Sequence, residues 1–378
     1  FFPTSIPALS LAAVYASFAV TLLMRPIGSA IFGSYADRRG RKRAMVVAVT
    51  GVGLSTALFG ALPTVQQIGV FAAVPFLILR LVQGVFVGGV VASTHTIGTE
   101  SVPANWRGFM SGMVGGGGAG LGALLASIVY YIVSEAFPGE AFHTWGWRFM
   151  FFAGILSAFL GFFVFKSLEE SPMWIQAKQK KAEAAKPEVS PVKTIFSRYL
   201  NVLLVNLLLV IGGGSAYYLT SGYLPTFLSV INQIPSSAAS FILMGASVSA
   251  IISAVFFGYL SDVIGRKKSF LLIGVLDLVF LPLLFQQLAD AASVPMIAFY
   301  ALALAFLGNA AYAPILVFLN ERFPTSIRSS GTGLSWNIGF AVGGMMPTFV
   351  TLASATTEQI PQSLMYFSIG IFLLYIIG

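Results

Sequence analysis

Gly33-Ser34-Tyr35-Ala36-Asp37-Arg38-Arg39-Gly40-Arg41-Lys42 is a short charged turn set between two long apolar runs. The order Gly-x-x-x-Asp-x-x-Gly-Arg-Lys returns at Gly258, Asp262, Gly265, Arg266 and Lys267, 225 positions later. A second pair of landmarks repeats at nearly the same distance. Glu100-Ser101-Val102-Pro103-Ala104-Asn105-Trp106-Arg107 is echoed by Glu321-Arg322-Phe323-Pro324-Thr325-Ser326-Ile327-Arg328, at an offset of 221. Two landmarks in one order and at almost one spacing mark a duplicated unit.

Only 9% of the residues are charged and 57% are hydrophobic, against about 25% charged in an ordinary soluble domain. Such a chain cannot clothe itself in a polar surface. Apolar runs recur along it, and about 20 residues suffice to cross about 30 Å of hydrocarbon as a helix. The chain therefore reads as an all-α, multi-spanning protein embedded in a lipid bilayer. Eleven spans are predicted, at 9–36, 44–62, 70–99, 108–134, 146–166, 199–230, 237–261, 269–288, 294–320, 329–354 and 362–378. Five precede the polar segment 167–198 and six follow it, which divides the chain into an N-terminal bundle (1–166), a linker (167–198) and a C-terminal bundle (199–378). Overlaying the halves accounts for the odd number. The first hinge follows the first span, whereas its partner follows the second span of the later half, so a further helix is expected upstream of Phe1. Phe1-Phe2-Pro3 carries no basic leader and Leu373 to Gly378 stop inside an apolar run, so both ends read as cut.

Of the 21 Lys and Arg residues, 18 fall in or beside five alternate connections: 37–43, 100–107, 167–198, 262–268 and 321–328. The intervening connections hold only Arg148. By the positive-inside rule those five connections are cytoplasmic. The net charge of +8 is thus a topology signal, and no nucleic-acid partner is expected. There is no Cys, and His95 and His143 are the two histidines, so no disulfide, metal site or cofactor is expected. The Gly115–Gly118 run lacks the Gly-Lys-Ser/Thr of a phosphate loop. No hydrolytic cluster is present, and the chain is not read as an enzyme.

An ionisable side chain inside a span is a functional candidate by default. Four qualify: Arg25, Arg80, His95 and Asp277. Arg25 lies 12 residues before Asp37, about 18 Å along a helix and so near mid-membrane. At 100° per residue, Arg80, Gln83, Val87, Val91, Thr94 and His95 fall into one stripe. A cation at mid-depth favours an anionic or zwitterionic substrate, because Arg grips a carboxylate bidentately. The rival reading makes Arg80 structural, bonded to carbonyls of a neighbouring helix, and Arg25 is open to both readings. His95 and Asp277 are the candidates for proton coupling, with a locally paired carboxylate as the alternative for Asp277. Asn206, Tyr217, Tyr218, Asn309, Tyr312, Trp336 and Asn337 are either site residues or interhelical hydrogen-bond glue.

The two hinges resemble the cytoplasmic signature of the major facilitator superfamily of secondary transporters, matched by Gly33, Asp37, Gly40, Arg41 and Lys42. Arg80-Leu81-Val82-Gln83-Gly84, with Gly88 and Gly89, resembles a second pattern of that family. Met24-Arg25-Pro26-Ile27-Gly28, Trp145-Gly146-Trp147-Arg148-Phe149, Leu168-Glu169-Glu170-Ser171-Pro172 and Glu321-Arg322-Phe323-Pro324-Thr325 are similar to its metabolite:proton symporter branch and to the nearby sialate/carboxylate symporters. Val90 departs from the acidic residue that often follows the glycine pair, and the first helix of that branch, with its acidic residues, is absent. The resemblance covers essentially the whole chain. It implies two pseudo-symmetric six-helix halves that rock about a substrate site near the bilayer midplane. It also implies that the Arg80 span lines the cavity and that the Asp277 span is peripheral. The expected activity is proton-coupled import of a small organic anion or zwitterion across the cell membrane, by a monomer without cofactors. Arg80, Gln83, Arg25, His95, Tyr217, Asn309, Tyr312 and Asn337 would bind substrate. A facilitator or antiporter of sugars or other solutes, and a non-transporting receptor, are the alternatives.

The hinge then reads as a gate. A Gly four residues before the Asp shares its helical face and lets an opposing helix come close, while the Asp meets that helix's positive N-terminus. Pseudo-symmetry places Asp37 at the start of the 329–353 span with Arg328, and Asp262 at the start of the Gly108 span with Arg107. Glu100 and Glu321 are expected to form gating ion pairs beside Arg107 and Arg328.

Overall fold

The computed structural model describes residues 7–183, 190–354 and 356–378. Residues 184–189 of the expected linker and the Phe1-Phe2-Pro3 start lie outside the described residues. Every regular element among those described is helical. Before the linker come α1 (Pro7–Arg39), α2 (Arg41–Phe59), α3 (Ala73–Glu100), α4 (Ala104–Ala136) and α5 (Thr144–Phe163). After it come α6 (Leu200–Ile231), α7 (Ser236–Ile264), α8 (Arg266–Ala289), α9 (Val294–Arg322), α10 (Arg328–Ala353) and α11 (Ile360–Ile377).

Ten of these helices are long and apolar enough to cross a membrane. The remaining one, α10, differs in composition rather than length: its 26 residues include Ser329, Ser330, Thr332, Ser335 and Asn337, all fully buried. Its surroundings are other helices, so its polar groups find protein partners instead of lipid. The outer faces show the opposite pattern. Leu156, Phe159 and Phe163 on α5 are 61–65% exposed, a surface suited to lipid and not to water.

The turn between α1 and α2 is a single residue, Gly40, with φ at 115°, and between α7 and α8 it is Gly265, with φ at 88°. Side-chain-bearing residues rarely adopt that backbone, which explains why Gly recurs at this point of the repeat.

Within the first half, α1 packs on α2 and α3, and α2 packs on α3 and α5. Within the second, α6 packs on α10 and α11, α7 on α9, and α8 on α9 and α11. The halves meet along two seams that the repeat interchanges, α1 with α10 and α7 with α4, and α3 also touches α10. Both seams bring backbone against backbone. A Cβ on Gly33 would lie 2.8 Å from Ser330 Cα, and one on Gly258 would lie 3.0 Å from Gly112 Cα. Small residues allow that approach, and the gain is packing that lipid cannot supply.

The largest apolar core, including Phe227, Phe285, Leu304, Phe340 and Phe372, lies in the second half and takes in Leu22 of α1. A smaller one, Ile195, Leu203, Phe323, Ile327 and Leu334, seats the linker helix Pro191–Arg198 on the end that carries the hinges. At the opposite end, Arg148 donates to the carbonyl oxygens of Gly60 and Leu62, each at 2.7 Å, and stacks on Trp147 at 4.6 Å. A cation there satisfies the free carbonyls at the C-terminus of α2.

Candidate functional site

The five basic connections converge on one face. Asp37, at the end of α1, accepts the backbone N–H of Ser329 at 3.2 Å, that of Ser330 at 3.0 Å, and the Ser330 hydroxyl at 2.7 Å. Asp262, at the end of α7, accepts the N–H groups of Gly108 and Phe109 at 2.8 and 2.9 Å. Each carboxylate therefore caps the first turn of a helix in the other half, where unpaired N–H groups and the helix dipole favour negative charge.

Around these caps the ion pairs differ from the expected set. Glu100 pairs with Arg328 at 2.8 Å and with Arg41 at 3.4 Å, and Glu321 pairs with Arg266 at 2.9 Å. Arg107 pairs with neither glutamate; its guanidinium lies 3.8 Å from Met173 Sδ. The six residues between Glu100 and Arg107 fold into a tight turn, and closure of the halves brings Arg328 across to Glu100 instead. The linker completes the cluster. Glu170 accepts the N–H groups of Arg41, at 2.9 Å, and Lys42; the Ser171 hydroxyl bonds Glu100; and Trp174 Nε1 donates to Asp37 O at 3.0 Å. The sequence carries no local signal for these linker contacts beyond Glu170-Ser171-Pro172, which has the pattern of a helix start.

Deeper in, polar groups bridge the halves. Asn337 Nδ2 donates to Ser29 Oγ at 2.6 Å and Asn320 Nδ2 donates to Thr99 Oγ1 at 2.8 Å, and within the second half Thr332 donates to Asn320 Oδ1 at 2.6 Å. The His95 ring lies 5.6 Å from Trp336. Trp336 stacks on Phe340 at 4.2 Å and meets Tyr312 edge-on at 4.9 Å, and Tyr217 lies 5.7 Å from Tyr312. Arg25 on α1 is half-buried within electrostatic reach of Tyr217 and Tyr312. It makes no ion pair or hydrogen bond among the described residues, and its Nε is buried without a partner.

Arg80 and Gln83 are elsewhere. The Arg80 guanidinium packs over Phe59 and Phe76 at 4.7 and 5.0 Å and bonds Gln83, which bonds Thr56 of α2 at 2.8 Å. The expected stripe thus divides: Arg80 and Gln83 turn towards α2, and His95 turns towards α10. A residual 60° over four turns is enough to give the two ends different neighbours. Asp277 is fully buried on α8, with Gly274 one turn earlier abutting Tyr375 of α11. Both of its oxygens lack a hydrogen-bond partner among the described residues, so it is not the locally paired carboxylate of the alternative reading.

A cavity of about 220 Å³ lies between α4 and the helices α6, α7 and α9, lined by Gly120, Ala123, Tyr217, Ser221, Ser247 and Asn309. Asn309 Nδ2 donates to Ser221 Oγ at 2.9 Å, and its Oδ1 is buried and unpaired among the described residues. Ala126, Ser127, Pro225 and Leu243 are shared with a second hollow of about 350 Å³ that reaches Tyr130 and Ser229, near the ends of α4 and α6 remote from the hinges. The arrangement is sealed on the basic face and hollow towards the other.

The chain matches two family models: "Sugar (and other) transporter" over residues 8–190 and "Major Facilitator Superfamily" over residues 214–378. Among curated proteins it is 29% identical to the inner membrane metabolite transport protein YhjE of Escherichia coli, over 93% of this chain and 79% of that one. It is 30% identical to the glycine betaine/proline/ectoine/pipecolic acid transporter OusA of Dickeya dadantii, over 92% and 70%. It is 29% identical to the shikimate transporter of Escherichia coli, over 94% and 81%. Among solved structures, the proton:xylose symporter XylE bound to 6-bromo-6-deoxy-D-glucose superposes with a TM-score of 0.73, at 19% identity, over 98% of this chain and 86% of that one; that likeness concerns the fold.

Proposed function

This chain belongs to the major facilitator superfamily of secondary transporters of small metabolites, and from that premise we propose that it imports a small carboxylate-bearing anion or zwitterion by proton-coupled alternating access. The observation that carries the reading is Arg25: a guanidinium with no ion pair or hydrogen bond among the described residues, between the halves, beside Tyr217 and Tyr312. An unpaired cation in that setting is costly until an anion arrives, so binding energy is concentrated on a carboxylate. The relatives named for proline, betaine and shikimate support the class, since each of those solutes carries a carboxylate. The location would be the inner membrane, as in the relative named for it.

In this scheme Asn309 and Tyr217 shape the outward cavity, and Tyr312, Asn337 and His95 form the floor between it and the sealed basic face. Gly33, Asp37, Gly40 and Arg41, with their counterparts Gly258, Asp262, Gly265 and Arg266, form the gate together with Glu100, Arg107, Glu321 and Arg328. The two bundles, joined by 167–198, rock against each other as the caps form and break.

Proteoliposomes containing the protein, offered a panel of labelled small carboxylates, test this. Accumulation driven by an inward proton gradient and abolished by an uncoupler is expected. Uptake that ignores the gradient would favour a facilitator or antiporter, and no accumulation under any gradient would refute transport of this class.

A further inference from the structure

α9 is broken at Pro314. Proline donates no N–H, so carbonyl groups one turn back lose their ladder partners. Here 311–314 form a turn between two helical stretches, Val294–Ala310 and Ile315–Arg322. Side chains from two other helices take up the freed groups. The Ser111 hydroxyl of α4 donates to Ala313 O at 2.8 Å and accepts Val317 N–H at 3.1 Å. The Tyr375 hydroxyl of α11 donates to Ala311 O at 3.0 Å. The next residue in this turn is Tyr312, whose ring is packed on Trp336 and Tyr217.

On the far side of Tyr375 lies Asp277, with no exposure and, among the described residues, no donor to either carboxylate oxygen. A Cβ built on Gly274, one turn earlier, lies 3.2 Å from Tyr375 Cδ1, and the Tyr375 hydroxyl lies within the field of the Asp277 carboxylate. Other charged and titratable groups on the surrounding helices are engaged elsewhere. Arg266 and Glu321 pair with each other, Asp262 caps α4, Tyr300 bonds Gln287, Arg322 lies over Phe318, and Tyr366 bonds Gln362. Lys267 and Lys268 sit in the first turn of α8, and Asp290 lies past its end.

We propose that Asp277 and Tyr375 form a proton-binding site in which one phenolic hydroxyl is shared between the Asp277 carboxyl and the broken turn of α9, so that proton release at Asp277 repositions Tyr312. The link to substrate rests on the transport reading above; the proton site itself does not. Tyrosine has a single O–H to donate. While Asp277 is a neutral acid, that donor stays on Ala311 O, as observed. When the acid's O–H bond breaks and its proton passes to water, the carboxylate left behind is the stronger acceptor, and the Tyr375 O–H turns to it. Ala311 O is then a buried acceptor without a donor, an unfavourable state that the turn relieves by repacking. Tyr312, next in the chain, moves with it.

Infrared difference spectra of the protein in liposomes across a pH titration test this without any substrate. A protonated-carboxyl C=O band that disappears at alkaline pH is expected, and it should be absent from Asp277→Asn. The other deeply buried acids, Asp37 and Glu100, lie on the basic face beside Arg41 and Arg328, and any band they contribute is common to the unsubstituted protein and Asp277→Asn. In Tyr375→Phe the band should persist to higher pH, because the carboxylate has lost its donor; this variant carries the test where Asp277→Asn does not fold. With the other four tryptophans replaced by Phe, Trp336 emission should follow the same titration and become pH-independent in Asp277→Asn. The absence of any carboxyl band that is lost in Asp277→Asn, a titration of that band unmoved in Tyr375→Phe, or a Trp336 response indifferent to Asp277 would overturn the proposal. Expected spectra from a protein that accumulates no carboxylate would refute the transport reading alone.

Discussion

Arg25 and Arg80 carry the same charge and are expected to do different work. Arg25 has no ion pair or hydrogen bond among the described residues and faces the other half, whereas Arg80 is packed between two phenylalanines and tied through Gln83 to Thr56. Arg25→Gln is expected to abolish carboxylate uptake with little change in thermal stability. Arg25→Lys, which keeps the charge and loses the planar fork, is expected to raise KM about tenfold, the equivalent of one lost charge-assisted hydrogen bond. Arg80→Gln should do the reverse, lowering stability in detergent by about 1–2 kcal/mol, the scale of a desolvated cation–π contact, and leaving KM unchanged. Uptake kinetics and thermal unfolding on the three variants separate the roles. Both arginines are legible in the sequence, because an ionisable residue within an apolar run is conspicuous. The stripe through Arg80 and His95 on one helix does not show which neighbour each of its ends meets.

At the level of helices, the repeated Gly-x-x-x-Asp says more than either residue alone, since it specifies a close approach and a cap on the same face. The caps and the two glycine seams were legible from that spacing. The crossed pairing of Glu100 with Arg328 was not, because it depends on how far the halves close, which no local pattern encodes. The π turn at Met113–Gly117 in α4, beside Tyr312 and Ala254, was also hidden within a plain glycine run. The α4/α7 seam offers a direct check. A side chain at Gly112 would collide with the backbone oxygen of Ala254, whereas one at Gly122 meets nothing. Gly112→Val should hold the basic face open, and Gly122→Val should not. The absence of native Cys makes Val317→Cys, which lines the small cavity beneath the seal, a clean reporter: thiol labelling from the cytoplasmic side should rise severalfold only with Gly112→Val.

For the whole molecule, the repeat predicts two equivalent latches, and the structure shows two unequal ones. Arg41 and Asp37 have no side-chain exposure and Glu100 has 1%, whereas Arg266 is 18% and Glu321 39% exposed. Breaking the dry cluster by Glu100→Gln leaves buried arginines underpaired and should cost the closed state about 3–5 kcal/mol; Glu321→Gln in the wet one should cost about 0.2–1 kcal/mol. Val317→Cys labelling should therefore rise sharply with the first substitution and barely with the second. This inequality has a consequence for behaviour in different media. Dissolved ions screen exposed pairs within about 8 Å at physiological strength and reach buried ones far less. Raising the ionic strength should therefore loosen the α4/α7 edge while the α1/α10 edge holds, so that the inner face parts from one side like a door with its hinge on Asp37, and salt sets how often it stands ajar.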